Sequence, residues 1–331
     1  MLNKIAIIGP TFLKGEQYFE KIGKRLDCAV SWIDTSSNRN EIKTHFLRKD
    51  ISINTHTISS FDLILYFPRN YSSSWCGLYS TARDESYIHA SWEPINDYLS
   101  EILANGPTFN CPKCAKAMSN NLISLRLAVA HGLEVVPWIC TNTAKNIPKS
   151  FGDKLIIKSA GYHNEVSSGE FIPTSVVEKD DLDETLSEVP IIIQPYIKTA
   201  KELRIYSFPH RTIVTEYEKV GEIIDIRFSQ ECLDTLEVTQ EHQKLSDQIR
   251  CFLNDVGLLY AAVDVLVDSG TYGIIDINPH GTWDTISNAS ISYKVTECFY
   301  EAFSDTELEK NVETFSGIHR CPCNNFLTDL R

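Results

Sequence analysis

The 331-residue sequence contains no uninterrupted apolar run of the 18 or so residues that a membrane-spanning helix needs. Its first apolar stretch, Ile5–Ile8, is stopped at once by Gly9-Pro10 and has no small-residue cleavage site, so it reads as a strand rather than a signal peptide. A cytoplasmic protein without membrane association is expected. Basic charge is in deficit: 31 Lys and Arg stand against 44 Asp and Glu, a formal net charge of −13. That balance excludes a partner such as nucleic acid held by bulk charge, although it leaves room for a local basic pocket. There is no internal repeat and no low-complexity tract. Gly9-Pro10 lacks the glycine spacing of a dinucleotide fingerprint, and the nine histidines show no HExxH pairing. No Ser/His/Asp grouping stands out. The remainder is ordinary globular composition, 43% hydrophobic and 23% charged. The chain is long enough for about two domains and a core that needs no disulfide staples.

Periodicity predicts strands over Lys4–Ile8, Cys28–Ile33 and Asp62–Phe67, with a helix over Glu16–Leu26: an open α/β sheet. The polar stretch Thr35–Ser59 is expected to be partly helical. Helical spacing recurs over Arg83–Leu103 and over Asn121–His131, the latter capped by Ser119 or Asn120 and stopped by Gly132. Val135–Ile139 reads as a strand, and polar Thr141–Ser150 as the boundary between two halves. The second half is richer in strands: Lys154–Lys158, Ile191–Gln194, Glu202–Phe208, Thr212–Glu218, and a hairpin of Leu259–Val267 with Tyr272–Ile277 about Asp268-Ser269-Gly270. Helices are expected over Thr239–Val256 and Tyr293–Phe303.

The hairpin carries the clearest chemistry. Asp264 lies on one strand, and Asp276 and Asn278, two residues apart, share a face of the other. One carboxylate on a hairpin is most often a solvated surface group. Two carboxylates and an Asn among apolar strands need counter-charge. Mg²⁺ takes oxygen ligands, usually one or two carboxylates plus phosphate oxygens, so this set suits a metal–nucleotide. Lys158 leaves an apolar strand into a polar loop and can meet a phosphate as a point charge. Gln194-Pro195-Tyr196 can form a hinge that reads an adenine edge, and Glu202 can accept from ribose hydroxyls. Arg204 and Arg227 are fork donors for phosphate or carboxylate. Each is commonly structural when alone; their order is what is specific.

That order resembles the ATP-grasp superfamily, and within it the graspetide (microviridin-type) peptide macrocyclases. The resemblance rests on Glu202-Leu203-Arg204, Asp225-Ile226-Arg227 and Asp276–Trp283 (DINPHGTW), and covers about residues 60–300. It implies an α/β and α+β architecture: an N-terminal open α/β domain over 1–110, a helical linker region over 111–150, an ATP-grasp domain over 151–310 whose two α+β subdomains clamp the nucleotide, and a tail over 311–331. It implies Mg²⁺ on Asp264, Asp276 and Asn278, phosphate on Lys158, adenine on Gln194 and Tyr196, and ribose on Glu202. Arg204 and Arg227 would be the catalytic pair at the γ-phosphate or acyl-phosphate. The implied activity is an ATP-dependent ligase, forming ADP and phosphate, that activates Asp or Glu side chains of a ribosomal precursor peptide. Ser or Thr hydroxyls or Lys amines would then close ω-ester or ω-amide rings. The implied partners are that peptide with its leader segment and a second copy of the chain. Two positions depart from the family: Asp276 replaces the usual Glu, and Asn121 stands where a lysine often reaches ATP. Lys113 or Lys116 is a candidate replacement. A ligase for a small amino acid or carrier protein, and a nucleotide-binding partner protein without catalysis, remain alternatives.

Ten cysteines include two close pairs, Cys111/Cys114 and Cys321/Cys323. Together they could hold a structural Zn²⁺; separately they read as unrelated turns or a redox pair. The CxxC is expected as a knuckle before the middle helix. Cys28, Cys76, Cys140, Cys232, Cys251 and Cys298 are expected to be buried or half-buried.

Overall fold

Every residue of the strand Lys4–Gly9 (β1) after Lys4 is buried. Ile5 and Ile7 join one core, while Ala6 and Ile8 join another. A strand apolar on both faces belongs inside a parallel sheet covered on each side, and the computed structural model of the chain places it there. The structure describes residues 3–9, 15–34, 42–44, 51–53, 56–67, 94–104, 108–159, 174–186, 189–198, 201–217, 232–236, 240–268, 270–281, 283 and 289–303.

The helix Gly15–Arg25 (α1) and the strand Ala29–Asp34 (β2) follow β1. Three short strands come next, Ile42–Thr44 (β3), Ile51–Ile53 (β4) and His56–Thr57 (β5), then Leu63–Tyr66 (β6). The first sheet is parallel, in the order β2-β1-β6. The described part of 35–59 is strand ending in one 3₁₀ turn, and the remainder of that stretch lies outside the described residues. Ile53 of β4 is buried in the core cluster that holds Ala6, Ile8 and Ile33. Residues 94–103 form α2, the described part of the helix expected over 83–103.

Pro112–Met118 (α3) and Asn121–Ala130 (α4) follow. Asn120 caps α4, its Oδ1 accepting from the Leu122 and Ile123 amides, and Gly132 closes it at φ +78°. The CxxC is not a knuckle: Cys111 is the N-cap of α3 and Pro112 occupies its first turn, where the missing N–H costs nothing.

The expected strand over Val135–Ile139 begins four residues late, as Ile139–Thr141 (β7). Pro137 has no ladder donor, and Val135 makes only an isolated bridge to Ile274. β7 joins Lys154–Ser159 (β8), Ser175–Glu178 (β9) and Ile191–Pro195 (β10) in a small antiparallel sheet, β7-β10-β8-β9. The larger sheet contains Lys201–Ser207 (β11), Thr212–Tyr217 (β12), Cys232–Leu236 (β13), Ala261–Asp268 (β14) and Thr271–Asn278 (β15). Its order is β13-β12-β11-β14-β15, antiparallel throughout. Helix Gln240–Asp255 (α5) precedes β14, and Ala289–Phe303 (α6) closes the described chain.

The large sheet is covered on both faces. Leu203, Ile205, Val263 and Val265 pack with α3, α4 and α5. Tyr206, Ala262, Trp283 and Phe299 pack with Ile5 and Ile7 of β1 and Phe19 of α1. One core therefore spans the first sheet and the large one.

Candidate active site

Alternation in β11 sends Leu203 and Ile205 into the helical core and leaves Glu202 and Arg204 on the opposite face. Arg204 is the register partner of Asp264 in β14, and Asp264 in turn faces Asp276 in β15. The Arg204 guanidinium donates through one nitrogen to both Asp264 oxygens, at 3.2 and 3.3 Å. Both side chains are nearly buried, 13% and 12% exposed. Glu202, two residues before Arg204, is 5% exposed.

A bulge makes this arrangement possible. Ile274 and Ile277 both lie in the helical core although they are three residues apart. A regular strand would put them on opposite faces. Asp264 pairs with Asp276 while Val265 pairs with Ile274, so Ile275 has no opposite number. That extra residue restores Ile274 to the core and turns Asp276 onto the face of Asp264.

The small sheet presents a complementary face. Lys158 pairs with Ile192, and Gln194 with Ile156, so Lys158 and Gln194 lie on one side. Leu155 and Ile193 turn to the other, into a separate apolar cluster with Ile147 and Phe151. Lys158 Nζ crosses to the large sheet and donates to the carbonyl oxygen of the bulged Ile275 at 3.3 Å. Gln194 is 2% exposed, and its Nε2 meets no acceptor among the described residues. Tyr196, just past β10, is half-buried, with its amide donating to the Lys154 carbonyl at 3.0 Å. Asn278 Oδ1 accepts the His280 amide at 2.9 Å, which turns the chain after β15. Arg227 lies outside the described residues. The two candidate replacement lysines are engaged elsewhere: Lys113 pairs with Glu101 at 2.7 Å and Lys116 with Asp97, both on α2.

The structure is similar to that of the macrocyclase MdnC bound with precursor peptide MdnA from Microcystis aeruginosa, at 16% identity and TM-score 0.74, covering 92% of this chain and 100% of that one. It is similar to a RiPP-associated ATP-grasp ligase from Chryseobacterium gregarium, in complex with ADP and a leader and core peptide, at 20% identity and TM-score 0.65 over 91% and 97%. The fold is ATP-grasp. A D-alanine–D-alanine ligase from Bacillus anthracis complexed with ATP shares the ATP-grasp frame more distantly, at 14% identity and TM-score 0.52 over 91% and 97%. No protein-family model and no curated protein sequence matches the chain.

In this ATP-grasp frame the residue that sequence reasoning missed is Asn110. Its Nδ2 donates to the carbonyls of Tyr260 and Pro279, at 2.9 and 3.0 Å, while its Oδ1 accepts the amides of Leu259 and Tyr260, at 2.9 and 3.0 Å. One amide thus uses all four of its hydrogen-bonding positions, tying the start of β14 to the loop after Asn278. Nothing in its neighbourhood of the sequence marks it, because its partners are 149 to 169 residues away.

The same loop needs a glycine. A Cβ on Gly281 would stand 2.3 Å from Ala262 Cβ and 3.3 Å from an Arg204 guanidinium nitrogen. Gly281→Ala is therefore expected to lower stability by about 1–3 kcal/mol through overpacking, read from the denaturant midpoint. An unchanged midpoint would show that the loop can move off the strand freely.

Among the cysteines, Cys251 is exposed on α5, correcting the expectation that it is buried or half-buried; its position on a solvent-facing turn leaves the thiol uncovered. Cys28 and Cys140 are half-buried and Cys298 is buried. Cys76 and the pair Cys321 and Cys323 lie outside the described residues, as does the side chain of Cys232. Among the described residues no group of three or more His, Cys, Asp or Glu gathers to hold a metal ion. The Cys111 thiol is held down at about 6 by a hydrogen bond from the Cys114 thiol, which outweighs the effect of burial, and by the nearby Cys114 and Lys113 amides.

Proposed function

We propose that the chain is an ATP-dependent ligase acting on the side-chain carboxylates of a precursor peptide. The observation that carries this reading is the face shared by Glu202, Arg204, Asp264 and Asp276, set opposite Lys158 and Gln194 in an ATP-grasp frame. The residues fit the nucleotide. Gln194 has a buried donor that an adenine acceptor would satisfy. Two carboxylates and an amide oxygen suit a Mg²⁺ that completes its shell with phosphate oxygens. Bound there, Mg²⁺ would neutralise phosphate charge.

The chain's own groups do the rest. Lys158 already spans from the small sheet to the bulge, and would exchange a backbone carbonyl for phosphate oxygens. Glu202 would hold the ribose. Arg204 would orient the acceptor carboxylate and stabilise the developing acyl-phosphate, sharing that work with Arg227. The near-burial of Arg204 and Asp264 keeps water from competing with that field. A Ser or Thr hydroxyl or Lys amine then displaces the phosphate. A cytoplasmic homodimer completes this reading.

The test is to incubate the protein with Mg-ATP and a leader-bearing peptide rich in Asp, Glu, Ser, Thr and Lys. The expected product has lost one water per linkage, with one ADP and one phosphate released each time. Phosphate release with free amino acids but with no peptide would favour the small-substrate ligase. The ion pairs that engage Lys113 and Lys116 favour a second reading, a nucleotide-binding partner without turnover. Nucleotide binding with no phosphate released from any of these acceptors would establish it.

A further inference from the structure

Cys111 and Cys114 have no place in the chemistry above, yet Cys111 adjoins the residue that pins the loop after β15. Thr108 extends the first sheet through a bridge to Ile64, and the Phe109 amide donates to the Ile64 carbonyl at 3.0 Å. Asn110 then reaches Leu259, Tyr260 and Pro279, and Cys111 caps α3. Four consecutive residues thus connect the first sheet, the start of β14, the loop beyond Asn278 and a helix. Cys111 at the N-cap and Cys114 three residues on in α3 lie on one face of the helix, and the Cys114 thiol hydrogen-bonds to that of Cys111. Cys111 is partly accessible and Cys114 is buried, at 1% exposure. This is the arrangement of an attacking thiol with a resolving thiol beneath it.

We propose that Cys111 and Cys114 are a site of reversible thiol–disulfide exchange whose redox state sets how firmly Asn110 holds the 259–260 and 279–281 segments. The oxidant is a low-molecular-weight disulfide. The Cys111 thiolate attacks one of its sulfurs, forming a mixed disulfide and releasing one small thiolate. The Cys114 thiol then attacks Cys111 Sγ, giving the intramolecular disulfide and a second small thiolate, which takes up the Cys114 proton. Two protein thiols are oxidised by two electrons, and one small disulfide is reduced to two thiols. The sulfurs must close from hydrogen-bond contact to about 2.05 Å, with fixed torsion about the new bond. Cys114 is held within the helical core, so the adjustment falls on Cys111 and is passed to Asn110. An effect on ligation rests on the function proposed above; the exchange reaction and its structural effect do not.

The experiment treats the full-length protein with glutathione disulfide and follows two readouts, the Cys111–Cys114 linkage by peptide mass spectrometry and amide hydrogen exchange at Leu259 and Tyr260. The expected result is a linked pair and exchange faster by about tenfold, the weight of one weakened hydrogen bond. Dithiothreitol should reverse both, and Cys111→Ser should show neither. Cys114→Ala, which puts no polar group at that buried position, provides a second variant; it should stop at a mixed disulfide on Cys111. Thiols that stay unlinked, or that copurify with zinc and resist oxidation, would overturn the redox pair. A disulfide that forms with unchanged exchange at Leu259 and Tyr260 would overturn its connection to Asn110. If both expected signals appear but Mg-ATP binds in neither redox state, the ligase site, not the redox pair, is what fails.

Discussion

Asp264→Asn should abolish the magnesium-dependent rise in melting temperature expected of the parent chain with Mg-ATP, and reduce phosphate release on the order of a hundredfold or more. The side chain keeps its size and loses its charge. In the parent chain, ligand at about a hundred times its dissociation constant adds about 2.7 kcal/mol if it binds only the folded state. The variant should also melt lower without ligand. Arg204 and Asp264 are both close to buried, and removing one partner of such a pair costs about 3–5 kcal/mol, less whatever hydrogen bonding the Asn retains. The two effects separate cleanly. If Asp264 serves only to neutralise Arg204, the unliganded melting temperature falls while the magnesium-dependent increment survives, and the metal role is lost.

Trp283→Ala should produce the largest loss of stability, about 3–5 kcal/mol, or a melting temperature lower by roughly 10 °C. Trp283 is 4% exposed, and its ring lies 4.6 Å from Phe299, 5.8 Å from Phe19 and 5.9 Å from Tyr260. Its indole N–H donates to Thr296 Oγ1 at 2.9 Å. Those neighbours come from α1, the segment just before β14, and α6, so the cavity would loosen all three. Trp283→Phe keeps most of the ring contact and should cost less. A loss below about 1 kcal/mol for the Ala variant would mean that the three elements hold together without it.

The elements legible in the sequence are those whose stability is local or whose apolar period is unambiguous. β1, α1, α4 with its Asn120 cap, α5 and the β14–β15 hairpin all follow from spacing and turn residues. The hairpin also made legible that the candidate ligands Asp264, Asp276 and Asn278 share one face, Asp276 and Asn278 by lying two apart and Asp264 by facing Asp276. What the sequence could not disclose is decided at a distance. The Ile275 bulge is invisible in the run Gly273–Asn278, because both a regular and a bulged strand can be written with those residues. Only packing of Ile274 and Ile277 into one core selects between them. Asn110 is hidden for the same reason, as its hydrogen bonds close loops of about 150 residues. The short strands β3 to β5 lie within polar sequence, where three-residue alternations are too brief to oppose a helical reading.

The joint core of the first sheet and the large one also governs how the chain comes off the ribosome. Tyr300 donates to the Phe19 carbonyl at 2.6 Å across 281 residues, and Arg25 pairs with Glu297 at 2.8 Å. At about 5–20 residues per second, α6 emerges roughly 15–60 s after α1. Until then Ile5, Ile7 and Phe19 have lost their permanent cover from Tyr206, Trp283 and Phe299. Until α6 arrives the nascent chain carries an incompletely covered apolar surface, and during that interval it suits a holding chaperone.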